Sequence, residues 1–175
     1  AQALERARAA LVAAGYEVHE VEPPLLEEAA TTGARCLFGE AKALMDADVR
    51  RHGSKTVVAI FDEYYRYFRP FEGIELLRAM ADRNRFVRAW ATFMADYPLV
   101  LTPFLPAPIF TWNRDEQGAE GVREVLGSAL YSYAMNFMGL PAAIVQANEN
   151  NGQPVGVQIV GRRFREDMIL DAAEA

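Results

Sequence analysis

The stretch from Asn136 to Asp167 constrains the fold more than any other part of the chain. It reads Asn-Phe-Met-Gly-Leu-Pro-Ala-Ala-Ile-Val-Gln-Ala over 136–147 and Gly-Gln-Pro-Val-Gly-Val-Gln-Ile-Val-Gly-Arg-Arg-Phe-Arg-Glu-Asp over 152–167. The apolar runs 142–147 and 154–160 are each entered through a proline and have the length of buried strands. The connection 148–153 is polar and rich in Asn and Gly, which predicts an antiparallel pair. Glu166 and Asp167 predict the first turn of a closing helix, where negative charge complements the dipole.

Upstream, residues 1–14 carry a helical pattern, and Gly15 stands where a left-handed cap is expected. Over 16–21 the apolar residues Tyr16, Val18 and Val21 are set among Glu17, His19 and Glu20, which predicts a short strand. Pro23-Pro24 then breaks regular structure. Residues 25–95 read as helical, interrupted at Gly33, Gly39, Gly53 and Pro70-Phe-Glu-Gly73. The helix after Gly73 places Ile74, Leu77, Ala81, Val87, Trp90 and Met94 at a spacing close to 3.6. The apolar run 97–103, bounded by prolines, predicts a strand covered on both faces. Pro106, Pro108 and residues 111–118 predict an irregular connection. Over 119–138, Val122, Val125, Leu126, Ala129, Leu130, Tyr133, Ala134 and Phe137 make one wide apolar stripe, which predicts a single helix capped by Gly139. This order of elements predicts an α/β layer fold with a mixed sheet flanked by helices.

With 175 residues, 51% of them hydrophobic, the chain is long enough for one domain with a core of its own. Acidic and basic residues are interspersed around a net charge of −6, which argues against a nucleic-acid partner. No apolar run approaches the roughly 18 residues of a membrane span, so no membrane partner is expected. Cys36 is the only cysteine and has no disulfide partner in the chain, which fits the cytoplasm. The chain opens inside one helical pattern and stops inside another, as expected of a piece of a larger protein.

Residues able to do chemistry are sparse. A serine nucleophile needs a base within reach, and Ser54, Ser128 and Ser132 lie in no nucleophile motif. Ser54 precedes Lys55, but neighbours in sequence do not face one another on a helix. A helix N-cap is the better reading of Ser54. Cys36 reads as a small buried hydrophobe. His19 and His52 read as surface residues, and with one cysteine they make no metal-ligand pattern. No catalytic residue, metal or cofactor is therefore expected within the chain.

The tail 136–167 resembles the C-terminal end of the amidase signature family. So do the helix–Gly–strand–Pro-Pro unit ending at Pro24 and the block from Trp90-Ala-Thr-Phe-Met-Ala-Asp to Thr102-Pro103. In the second block the family's aspartate position falls on Pro98, and the nearest acid is Asp96. In the tail, Gln146-Ala147 stands in place of the family's Pro-x-Gly. The resemblance implies a single, incomplete domain over 1–175, the C-terminal half of an amide hydrolase; an amidotransferase A-subunit-like fragment and a non-enzymatic assembly or binding domain are the alternatives. A Ser–Ser–Lys triad, carried in a Gly/Ser-rich segment of the missing N-terminal half, would do the chemistry there. That half and a small amide substrate are the partners implied. A homodimer formed through an exposed edge or apolar face is a further association to expect.

The resemblance also implies site residues. The family's strand ending at this point and the loop after it border the acyl pocket, which nominates Thr102, Phe104 and Leu105. Phe104 packed between prolines is the competing reading. Thr32-Gly33-Ala34-Arg35 resembles a segment of the amidotransferase A-subunit branch whose arginine holds a carboxylate-bearing substrate, which a planar guanidinium suits. A surface arginine is the alternative for Arg35. Asn136 matches a family asparagine whose amide would fix the corner between helix and strand. The aromatic run from Phe61 to Phe71 reads as core or interface, with an entrance lid as the alternative.

Overall fold

The computed structural model describes residues 2–105 and 110–175. Three antiparallel strands form its sheet. These are β1 (Leu99–Pro103), β2 (Ala142–Asn150) and β3 (Gln153–Gly161), in the order β1-β3-β2. Asn151 and Gly152 both take positive φ, 50° and 77°, at the tip of the β2–β3 hairpin. That is the mirror-image turn whose twist suits a two-residue hairpin, and Asn-Gly is the sequence best able to adopt it. The hairpin is therefore tighter than the expected 148–153 loop, and both strands run on into that segment. A register shift between Gln146 and Asn148 bulges β2. It falls at Gln146-Ala147, where the sequence departs from the family's Pro-x-Gly.

Side chains alternate across the sheet. One face carries Val100 and Val160, which join a core with Ala29, Ala30, Phe86, Trp90, Met94, Ala134 and Met138. Those residues come from the helices α2 (Leu26–Leu44), α5 (Gly73–Asp96) and α7 (Leu130–Met138). The other face carries Leu99, Leu101, Ala143, Val145 and Ile159, packed with Leu11, Ile169 and Ala172. These last three belong to α1 (Gln2–Ala13) and α8 (Glu166–Ala173). The sheet is thus enclosed between two helical layers, as the order of elements predicts, and both described strand pairs are antiparallel.

Two expectations are corrected. Residues 16–21 form no strand. Tyr16 and Val18 do pack beside Leu99 and Leu101, so the alternation reports which side chains are buried and not whether the backbone joins a ladder. The expected helix over 119–138 is two, α6 (Gly118–Gly127) and α7. The Ser128 hydroxyl donates to the Val125 carbonyl at 2.9 Å at the end of α6, and a Cβ on Gly127 would stand 2.6 Å from the Tyr67 hydroxyl. Two further helices, α3 (Asp46–His52) and α4 (Lys55–Phe68), lie between α2 and α5. Helices α6 and α7 pack against different neighbours, α6 against α4 and the 3-10 turn Arg114–Glu116, and α7 against α2 and α5. The Ser54 hydroxyl accepts from Val57 N–H at 3.2 Å and caps α4 as the sequence predicts.

Candidate functional site

Thr102 and Gln158 are cross-strand neighbours in the β1–β3 register, and they are 5% and 3% exposed. The Gln158 amide donates to the Thr102 hydroxyl at 3.3 Å. By alternation this pair shares the face of Val100 and Val160, one row further along. Ile144, opposite Gln158 on β2, is 50% exposed. A buried polar pair therefore sits where the packed core gives way to open sheet. A buried amide left without an acceptor costs about 1–3 kcal/mol, so the bond ties the end of β1 to β3. Phe104 and Leu105 follow directly and are half-buried. Pro106 and Pro108 of the expected irregular connection lie outside the described residues. Further on, the connection includes a short 3-10 turn, Arg114–Glu116, held by Arg114 to Glu124 at 2.6 Å.

Arg35 lies on α2, fastened to a different feature. Its Nε donates to the Arg69 carbonyl at 2.8 Å, its guanidinium stacks 3.7 Å from the centre of the Phe71 ring, and its own carbonyl accepts from Phe71 N–H at 3.2 Å. It clamps the turn between α4 and α5. Among the described residues no hydrogen bond or stacking contact joins it to residues 102–105.

The aromatic run forms the packing between helices. Phe38 of α2 stacks on Phe68 of α4 at 4.3 Å, and Phe68 meets Tyr133 of α7 edge-on at 5.5 Å. Burial, then the nearby Asp115 carboxylate, pushes the Tyr64 hydroxyl up to about 12. Burial also raises Tyr133, and burial followed by Asp46 raises Tyr65. The Tyr65 hydroxyl and Asp46 Oδ1 both lack a hydrogen-bond partner among the described residues, although the two groups lie near each other. These phenols stay protonated at neutral pH and are half-buried between the helices.

The Ser54 hydroxyl accepts the capping bond from Val57 N–H, and the Ser128 hydroxyl donates to the Val125 carbonyl. Burial is the first cause holding the Cys36 thiol above its usual value, with Glu40 adding to it and Arg35 opposing. It is therefore not a ready thiolate. His19 meets Glu17 at 2.9 Å on the surface. Among the described residues, no group of three or more metal-ligating side chains comes together, and no helix is long and apolar enough to cross a membrane.

Among the described residues the Asn136 side-chain amide donates to the Ser132 carbonyl of its own helix and makes no bond to the corner between α7 and β2. Gly139 and two arginines hold that corner. Gly139 takes φ 67°, while its N–H and that of Leu140 donate to the carbonyls of Asn136 and Met135 at 3.1 Å. This closed cap needs the left-handed conformation that glycine adopts without strain. Arg83 donates to the Phe137 carbonyl, and Arg163 donates to those of Met138 and Gly139. Neither arginine is signalled by the sequence. Only the Arg-Arg doublet after β3 hints at one of them, and their common target is 54 residues from Arg83 and 24 or 25 from Arg163.

The Amidase family model matches residues 1–170. Indoleacetamide hydrolase of Bradyrhizobium diazoefficiens is 34% identical over 176 residues, covering 100% of this chain and 34% of that protein. Among solved structures, the A-subunit of the glutamyl-tRNA(Gln) amidotransferase from Thermotoga maritima superposes with a TM-score of 0.69 at 23% identity, over 98% of this chain and 36% of that one. The 6-aminohexanoate cyclic dimer hydrolase, complexed with substrate, gives 0.72 at 19% identity, over 98% and 39%. These two likenesses establish a shared fold. The chain spans 34% and 37% of the length of two curated relatives it matches along nearly its whole extent. With a family match over almost every residue and a relative this similar along the entire chain, the protein belongs to the amidase family.

Proposed function

We propose that this chain is part of an enzyme that hydrolyses a carbon–nitrogen bond in a small amide, and that it supplies sheet and one wall of the substrate pocket. The observation that carries the reading is the 34% identity to an indoleacetamide hydrolase across the entire chain. In the whole enzyme an activated serine attacks the amide carbonyl, a lysine relays protons through a second serine, and backbone N–H groups hold the oxyanion. These groups lie in a part of the enzyme beyond the described residues. The engaged hydroxyls of Ser54 and Ser128 support that division. Thr102 anchors the pocket wall, and Phe104 and Leu105 face the acyl group of the substrate. The single cysteine supports a cytoplasmic setting.

Hydrolysis is favoured over transfer of ammonia to a second molecule because the relatives 34% and 31% identical along nearly the whole chain are indoleacetamide hydrolases. The test uses the enzyme made from the full reading frame, with indoleacetamide as substrate. Phe104→Ala should raise KM several-fold while changing kcat less, since it removes binding surface and no reacting group. An unchanged KM would remove Phe104 from the pocket wall. Failure to release ammonia from any simple amide would overturn the hydrolase reading.

A further inference from the structure

Two guanidinium groups converge on the α7–β2 corner. A Cβ on Gly139 would stand 2.8 Å from Arg83 Nη2 and 3.1 Å from Arg163 Nη2, so both cations close over the same backbone atom. A guanidinium carries five N–H donors. One from Arg83 and two from Arg163 go to the carbonyls at the end of α7, and the others are left over. Neither arginine is within ion-pair distance of a carboxylate among the described residues, although Arg114 and Arg165 are. Glu166 lines the same recess without reaching ion-pair distance of either.

The recess these arginines edge is about 470 Å³ and is completed by Leu140, Pro141 and Phe164. Phe164 is 88% exposed and holds φ 62°, a conformation costly for a bulky side chain. The carbonyls at the C-terminal end of α7 offset part of the positive charge. They do not employ the outward N–H groups, and two like charges this close repel unless an anion sits between them. Forked N–H donors of this kind match the paired oxygens of a carboxylate or phosphate.

We propose that Arg83 and Arg163 form a binding site for a small oxyanion, phosphate or carboxylate, at the corner between α7 and β2. The test is thermal unfolding of the enzyme made from the full reading frame in inorganic phosphate against sodium chloride at matched ionic strength, with succinate as a second arm. Phosphate or succinate at about ten times its Kd should raise the midpoint by roughly 1–3 °C over chloride. The larger response of the two assigns the site to a phosphoryl or a carboxylate group. Arg163→Gln should weaken binding about tenfold by removing one fork. Glu166→Gln, which leaves the carbonyl caps untouched, should tighten it several-fold. Equal midpoints in chloride and in both oxyanions would overturn the proposal, as would unchanged affinity in Arg163→Gln. If Arg163→Gln fails to fold, unchanged affinity in Glu166→Gln overturns it instead.

Discussion

A few side chains fix the core by satisfying atoms that burial would otherwise strand. Trp90 is fully buried, and its indole N–H donates to the Pro24 carbonyl at 2.8 Å, which ties the Pro23-Pro24 break to α5. Trp90→Phe keeps most of the volume and removes the donor. It should cost about 1–3 kcal/mol, read as a lower urea midpoint with unchanged slope. Thr102→Val is the same experiment on the sheet, because it strands the buried Gln158 amide while preserving shape. A loss of about 1–3 kcal/mol is expected, with Thr102→Ser restoring most of it. The tyrosines give a pH signature. The Tyr64 hydroxyl ionises near 10 when unfolded and is pushed up to about 12 when folded. The folded state therefore holds its proton longer, and this contribution is fully present below pH 10 and is lost as pH rises toward 12. Absorbance titration should show a late phenolate fraction that Tyr64→Phe reduces.

At the scale of elements, the sequence is most legible where a local motif carries its own geometry. Ser54 before an apolar run gives an N-cap, the Asn- and Gly-rich connection between two apolar runs gives the antiparallel pair though not its two-residue turn, and proline-bounded 97–103 gives β1. Ser54→Ala should cost about 1 kcal/mol, confined to α4 and visible as faster amide exchange in its first turn. Legibility fails where the deciding partner is distant. Periodicity could not place the break between α6 and α7, because Tyr67 of another helix lies against Gly127. The alternation over 16–21 marks buried side chains correctly and says nothing about which backbone edge is free. The site divides the same way. Thr102, Phe104 and Leu105 are neighbours because they lie within four residues of chain, whereas Gln158 and the clamp of Arg83 and Arg163 depend on pairings that only the folded chain makes.

At the scale of the whole molecule, the protein is a helix–sheet–helix layer that belongs to the amidase family and spans about a third of a relative's length. Its exposed apolar residues include Ile144 beside the Thr102–Gln158 pair. The proposed reading makes this sheet a wall against which chemistry supplied by the rest of the enzyme is done. Amide hydrolysis by the isolated 175-residue chain, followed as ammonia released from indoleacetamide, tests that division most directly. No turnover above the uncatalysed background is expected from it, and turnover only from the full reading frame. Hydrolysis by the isolated chain that disappears in Ser128→Ala or Ser132→Ala would contradict this division of labour.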